Sequence, residues 1–411
     1  MSSGLGLRLA RRNLWRNPRR TILTFSAIAF ATAILVFMIA FQQGGYRAMI
    51  ESAIGVFTGH LQVQVAGYHD NPRLSEYFED ASALEARIAK LSGVKAVAAR
   101  GESYALLSSS SRTHGAAVVG VEPEHEPQLS TLPKSIREGR FLSGNHSDEA
   151  VVGMTLAKNL SLSLGDTLTL LGQGNEGSLA AATLTVVGIF QSGEPELDRS
   201  TMEMPLGTFQ EVFSIPDGAH SIAVRTANLD QVDRVTRSIS AALSGRPKLV
   251  VLPWQDLLEG LKQGITLDAT VGWFLYAVLV FVVTFSILNT FLMAVLERTH
   301  EFGVLLALGT RPNYLGRVVM TESIMLLLLG LLVGLGLGCA VTLLTGQHGL
   351  AFSGSEELLT RWNLPSRIYP RLNLLSLTVG PAVIFVVTFI AALFPLVRIR
   401  RLRPVDAMKA V

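Results

Sequence analysis

Hydrophobic residues along this 411-residue chain fall into two regimes. In the first they form four runs without a charged residue: Thr21–Phe41, Ala269–Leu296, Ser323–Leu344 and Leu372–Val397. A helix needs roughly 20 residues, at about 1.5 Å each, to cross some 30 Å of hydrocarbon. Each run therefore predicts a transmembrane helix, with spans at 21–41, 269–296, 318–344 and 374–397. The first run is longer than the roughly 7–15 apolar residues of a cleaved signal peptide, and no A-x-A-like site with turn chemistry follows, so it reads as an anchor.

The second regime, 42–268, mixes strand and helix periods. His60–Val65 (HLQVQV) alternates with period two. A helix follows, with Ser82 and Glu85 at capping-box spacing and apolar Leu84, Ile88 and Leu91, and then Val94–Ala98. The far end repeats the pattern: Ser221–Arg225, a helix opened by Asn228 and Gln231 with Leu229, Val232, Val235, Ile239 and Leu243, then Lys248–Leu252. Two strand–helix–strand units at the two ends predict one α+β subdomain built from 42–133 and 206–268. The middle, 134–205, holds short β-like runs (Ala150–Val152, Thr167–Leu171, Thr183–Phe190) punctuated by Gly165, Gly172, Gly174 and Gly177. It predicts an inserted β-rich subdomain.

Composition agrees with a membrane protein: 49% of residues are hydrophobic and 16% charged, against about a quarter charged in a soluble domain. The net charge of +3 hides a partition. Residues 1–20 hold six arginines and no acid, 297–317 hold three basic and two acidic residues, and 398–411 hold five and one. Residues 42–268 hold 18 basic and 26 acidic residues. Lysine and arginine near span ends mark the cytoplasmic side. Four spans put both termini and the 297–317 loop on that side, leaving 42–268 and 345–373 outside. Leu7–Arg16 (LRLARRNLWR) suits either an amphipathic helix at the inner interface or a purely electrostatic anchor.

Enzyme chemistry finds no footing. No G-x-x-x-x-G-K-[ST] is present, nor any G-x-S-x-G; His300-Glu301 and His125-Glu126 lack the second histidine of a zinc motif. His60 and His114 read more simply as packing or surface residues than as site residues. Cys339, the one cysteine, lies in an apolar span and reads as a packing residue. Asn145-His-Ser and Asn159-Leu-Ser match a glycosylation pattern of little weight. Ionisable groups are nearly absent from the spans, which argues against a charged permeation pathway. Glu322, near the inner start of the third span, is expected within reach of water. Gly330, Gly334 and Gly338 repeat every fourth residue and permit a close helix contact, read as packing of the third span on the fourth in preference to a contact with another subunit.

The inner loop Glu297–Arg311 (ERTHEFGVLLALGTR) predicts a short helix with Glu297, Arg298, His300 and Glu301 in its first turns and Gly309 at its end. The tail Pro395–Ala410 is basic and interrupted by Pro404. The order of one span, a large external domain and three spans resembles the FtsX-like/MacB-type permeases of ABC transporters. So do E-R-T-x-E-F-G-x-x-x-A-L-G-T at Glu297–Thr310, P-x-x-x-x-R-I-R-x-x-x-P-x-x-A-M at Pro395–Met408, and R-N-L-W-R-N-P-R-R-T at Arg12–Thr21. Gly59-His-Leu-Gln-Val, and Val152-Gly-Met-Thr-Leu-Ala-Lys-Asn-Leu with Leu164-Gly-Asp, look like the lipoprotein-releasing LolC/LolE branch.

The resemblance implies a type VII ABC permease: four transmembrane helices (1+3) and an α+β extracytoplasmic domain with porter-like and sabre-like parts. It implies a non-catalytic subunit, with no cofactor or metal of its own. ATP and magnesium would be bound by two copies of a partner ATPase, beside a second permease, identical or a sister chain. It further implies a bacterial inner-membrane location and a possible periplasmic carrier or adaptor, with no nucleic-acid partner. The inner loop would be the coupling helix, its contacts Glu297, Arg298, His300, Glu301, Phe302, Gly303, Leu306 and Gly309. Mechanotransmission through the long second span replaces an inner channel. In lipoprotein release, acyl chains would lie between the first two spans, against Phe30, Phe37, Met38, Phe41, Phe274, Tyr276 and Phe281. The alternatives are MacB-type efflux with an adaptor and FtsX-like regulation of a cell-wall hydrolase.

Overall fold

The computed structural model describes residues 18–351 and 367–400. The basic N-terminal segment, most of the tail and part of the last external loop lie outside these residues. The described chain forms two compact units: one of residues up to Tyr46, Ile265–Ala351 and Arg367 onward, the other of Arg47–Gly264.

The first unit is built on four helices long and apolar enough to cross a bilayer. These are α1 (Pro18–Ala53), α7 (Glu259–Glu297), α9 (Pro312–His348) and α10 (Leu374–Arg400), with the short α8 (Thr299–Ala307) between the second and third. Helices α2–α6 belong to the second unit. Boundaries placed at 42, 268 and 317 on charge alone fall inside helices. A charge-free run ends at the first ionised residue, whereas the i→i−4 hydrogen-bond ladder continues past it. Pro312 sits in the first turn of α9, where its missing N–H costs nothing.

The glycine stripe packs within the chain, but on the first span rather than the fourth. A Cβ at Gly330 would lie 2.7 Å from Ile28 Cγ2, one at Gly338 2.9 Å from Val36 Cβ, and one at Gly334 would strike the Ala29 carbonyl. Thr32 faces the same contact and returns its hydroxyl to Ile28 O at 2.8 Å. The apolar core of this unit draws on α1 (Ile28, Leu35, Ile39), α7 (Val280, Ile287, Phe291), α9 (Leu327) and α10 (Ile384).

In the second unit the strands are β1 (Leu61–Val65), β2 (Val94–Ser108), β3 (Thr113–Val121), β4 (Ile136–Gly139), β5 (Glu149–Gly153), β6 (Thr167–Gln173), β7 (Leu179–Phe190), β8 (Thr201–Pro205), β9 (Ser221–Thr226) and β10 (Leu249–Pro253). They run in the order β10-β1-β9-β2-β3-β8-β5-β7-β4, with β6 pairing β2 and β7. One long strand, β2, joins two sheets. Val94–Arg100 pairs antiparallel with β9, and Gly101–Ser108 pairs with β3. The first sheet, β10-β1-β9-β2, carries α2 (Ala81–Ala89) and α6 (Val232–Ala242), whose Leu84, Ile88, Val232, Val235 and Ile239 are buried. That is the two-ended α+β arrangement the repeated pattern predicts.

The β-rich part is larger than 134–205. It takes in the second half of β2, all of β3 and α5 (Leu206–Phe213), whose Phe209 and Phe213 are fully buried in its core beside α3 (Met154–Leu160). A 15-residue strand shared by two sheets runs unbroken through the handover, where Gly101 is paired with Gly120 rather than placed in a turn, so the sequence pattern gives no boundary there. A further short helix, α4 (Pro195–Ser200), precedes β8. One local expectation fails. Ser82 does not cap α2; its hydroxyl reaches Asp217 at 2.5 Å, while Asp80 before the helix is left-handed at φ 55°. Strand β1 is paired on both edges, by β9 and β10, and both Gln62 and Gln64 on it are buried.

Candidate functional site

The inner loop is a break followed by a helix. Glu297 ends α7, Arg298 departs from helical geometry (φ −104°, ψ 11°), and α8 runs from Thr299 to Ala307. Gly309, at φ +89°, closes it in a conformation that disfavours any side chain. Phe302 is 3% exposed and packs with Val295, Leu315 and Ile399, with Leu306 against the same cluster; Gly303 is buried too. These three of the eight expected contact residues face inward and hold α8 to its own spans. The 3.6-residue period places 299, 302, 303 and 306 on one face of α8, which turns toward Val295 of the preceding helix. The outward face carries His300, Val304, Leu305 and Leu308, with Leu308 78% exposed. Leu296, Glu297 and Gly309 are exposed beside them. The surface is thus an apolar stripe with charge at its start.

Under this surface lies a charge cluster that sequence reasoning missed. Arg298 Nη1 donates to Glu322 Oε2 at 3.2 Å, and its Nε lies 3.5 Å from Glu301 Oε2. The Arg298 guanidinium also sits over the Phe302 ring at 5.3 Å. Arg20, near the start of α1, donates to Glu297 Oε2 at 3.2 Å and lies 3.8 Å from Glu322 Oε1. Glu322 is 7% exposed, so the expectation that water reaches it is wrong. Its helix turns it toward two arginines rather than outward. The available signal was a lone carboxylate opening a 22-residue charge-free run, with arginines at the ends of two other spans.

An apolar cavity of about 400 Å³ opens among the first, second and fourth spans, lined by Leu35, Ile39, Tyr276, Phe281, Gly380, Val383 and their neighbours. Two of the seven expected acyl-contact residues line it, the buried Tyr276 and, at its open side, Phe281, which is 70% exposed. Phe30 and Phe274, each 68% exposed, and Met38, 40% exposed, point outward instead. Phe37 and Phe41 stack on one another with centroids 6.1 Å apart. Beyond the cavity a polar chain ties α7 to α1. Tyr276 Oη donates to Gln42 Oε1 at 3.0 Å, Gln42 Nε2 to Tyr46 Oη at 2.8 Å, and Tyr46 Oη to Asp268 at 2.7 Å.

The external unit buries several ionisable groups. Arg100 donates to both oxygens of Glu126 and to Phe57 O, and stacks on the Phe57 ring. Glu203, fully buried, has no hydrogen-bond partner for either oxygen; burial and the charge of Glu126 push its pKa up to about 8. Glu102 is also raised by burial and accepts from Ser221 at 3.1 Å and Tyr68 at 3.3 Å. His60 and His220 are both lowered to about 4 by burial, His60 bonding Thr226 and His220 accepting from Glu102 N, so His60 is a core residue. Glu85, Glu122 and His125 bring three possible ligand atoms within 4.8 Å of one another, Glu85 reaching a pair that is three residues apart in the chain. In this structure they satisfy each other, with His125 Nδ1 2.9 Å from Glu85 and 3.3 Å from Glu122.

Comparison with known proteins agrees with this arrangement. The family model of the MacB-like periplasmic core domain matches residues 21–242, and that of the FtsX-like permease C-terminal region matches 273–404. The chain is 24% identical to the lipoprotein-releasing system transmembrane protein LolC of Xylella fastidiosa, covering 100% of this chain and 98% of that protein. It is 22% identical to LolE of Haemophilus influenzae over 96% of each. A pyoverdine export ATP-binding/permease protein, PvdT of Pseudomonas aeruginosa, is 25% identical over 84% of this chain and 53% of its own length. Among solved structures, the periplasmic region of MacB from Actinobacillus actinomycetemcomitans aligns with a TM-score of 0.38 at 16% identity, covering 53% of this chain and 95% of that one.

Proposed function

Since the chain belongs to the MacB/LolC-type family of ABC transporter permeases, we propose that it extracts an acylated substrate, most simply a lipoprotein, from the outer leaflet of the bacterial inner membrane. A separate ATPase drives it from the cytoplasmic side. The observation that carries the substrate class is the cavity among the first, second and fourth spans. Its lining is almost wholly aliphatic and aromatic, with the Tyr276 hydroxyl turned away to Gln42. Such a pocket gains about 0.8 kcal/mol for each methylene it shelters and offers nothing to a polar solute. Lipoprotein-releasing system proteins are also the relatives that match along nearly their whole length.

Energy enters through the exposed face of α8. Basic residues flank the same ends of all four spans, which supports placing α8 and both termini in the cytoplasm. His300, Val304, Leu305 and Leu308 then offer a helical stripe to a groove of the ATPase. Two ATPases and a second permease, identical or a sister chain, complete the assembly. The helices α1 and α7, 36 and 39 residues long, each continue from the spans into the external unit and serve as levers. No ion pathway is needed.

The test is purification of the full chain from its own membranes, followed by mass spectrometry of bound lipids and proteins. Recovery of an ABC ATPase together with diacyl or triacyl species supports the reading. An ATPase without acyl species, but with a soluble adaptor protein, overturns the substrate class in favour of efflux.

A further inference from the structure

Glu322 stands out in the charge cluster because two arginines from different helices converge on it. Arg298 comes from the break between α7 and α8, and Arg20 from the first turn of α1. Their side chains are 16% and 19% exposed, and that of Glu322 is 9% exposed. A carboxylate removed from water this far is retained only with opposite charge and hydrogen bonds beside it. The two arginines meet that need from opposite oxygens. Each also reaches outward to a rim carboxylate, Arg298 to Glu301 and Arg20 to Glu297. The pairs at the rim are solvent-screened and contribute little. The carboxylate in the middle is the group that both arginines share.

We infer that Glu322 is a positioning residue: a buried pin that holds the first span, the start of α8 and the third span as one body. Arg298 is fixed at the entry of α8, so anything that turns α8 turns Arg298. With the pin in place, that rotation reaches α1 through Arg20 as well as α7 through the backbone. Thr24, one turn after Arg20, returns its hydroxyl to Arg20 O at 3.0 Å, so its polar group is satisfied within α1 beside the attachment point. The first span is therefore a second lever, joined to the loop by side chains where the second span is joined by the chain itself. This mechanical role rests on the ATPase-docking reading above; the tie itself does not.

The tie is tested in the full chain, reconstituted in nanodiscs without any ATPase. With Cys339→Ala as background, spin labels at Ile22 (62% exposed) and Leu308 (78% exposed) report the distance between the first span and the end of α8. The distribution should be narrow in the parent, and at least twice as wide in Glu322→Gln and in Arg20→Gln. Glu322→Asp should stay close to the parent, and Glu297→Gln, which removes only a rim contact, should not widen it. A melting-temperature cycle guards against simple misfolding. Arg20→Gln and Arg298→Gln should be non-additive with Glu322 present and additive in Glu322→Gln. Unchanged widths in both single variants, or additivity with Glu322 present, overturns the pin. Failure of the docking reading registers elsewhere, as absence of an ATPase from the purified parent, and leaves these distances untouched.

Discussion

Arg100 Nη2 lies 2.5 Å from Glu126 Oε1, and neither side chain has any exposed surface. Arg100 ends the part of β2 that pairs with β9, so this ion pair sits where one strand passes from the first sheet to the second. Its guanidinium also meets the Phe57 carbonyl and ring, tying in the segment that leads out of α1. Removing one partner of a buried pair leaves an uncompensated charge and costs about 3–5 kcal/mol. Arg100→Gln is therefore expected to destabilise the external unit by that amount. Hydrogen exchange of the full chain should show β2 and β8 losing protection while the spanning helices keep theirs; unchanged protection of β2 would contradict it.

The same site sets an alkaline limit. Glu203 has an ordinary carboxylate pKa in the unfolded chain and one near 8 when folded, because it is buried without a partner beside Glu126. A raised folded pKa means the native state holds the proton longer, so its stabilising contribution is complete below about pH 4.5 and is lost as pH rises to 8. Glu203→Gln keeps the shape and cannot ionise. Its external unit should be less stable than the parent at pH 5 or similar to it, and more stable at pH 8, seen as crossing or converging melting curves. Parallel curves across that range would rule out Glu203 as the titrating group.

These buried charges were the least legible part of the sequence. Four spans, the two-ended α+β arrangement and the helical loop with its glycine stop follow from local pattern, and the structure has them. What local pattern lacks is the partner. Gly330, Gly334 and Gly338 announce a close contact but not that Ile28, Ala29 and Val36 supply it. Phe302 looks like an exposed recognition residue until Leu315 and Ile399 cover it. Glu322 reads as a water-accessible rim residue until Arg20, some 300 positions earlier in the chain, closes over it. Each miss depends on contacts between segments distant in sequence, where period and propensity carry no information.

Docking through α8 is best tested at Leu308. It is 78% exposed and belongs to no internal cluster, so a polar group there costs the fold nothing. Leu308→Asp should lower ATPase recovery at least tenfold, about 1.4 kcal/mol or more of binding, with insertion and melting temperature unchanged. Glu301→Arg is also expected to lose the ATPase, but Glu301 lies 3.5 Å from Arg298 and its reversal disturbs the charge cluster as well. Phe302→Ala should act differently again, loosening α8 itself through loss of a core aromatic, a cost of about 3–5 kcal/mol. Normal ATPase yield with Leu308→Asp would exclude this face as the contact.

The cavity admits a test by filling it. Gly380 lines it from the fourth span, and a Cβ there would rest 3.4 Å from Leu35 Cβ and 3.7 Å from Ile39 Cδ1, ordinary contact distances. A side chain beyond Cβ must then extend into space that an acyl chain would use. Gly380 precedes Pro381 within the helix, so the melting temperature of Gly380→Leu is measured beside its acyl content. Val383→Trp, one turn later on the same lining, fills the pocket from a second position. Each excluded methylene of ligand forfeits about 0.8 kcal/mol, so loss of two or three contacts lowers affinity by more than tenfold. Both variants should purify with their ATPase, but with at least tenfold less acyl-bearing material per mole of protein by quantitative mass spectrometry. If both retain the parent's acyl content, the substrate's chains bind elsewhere, and the exposed outer faces carrying Phe30 and Phe274 become the place to look.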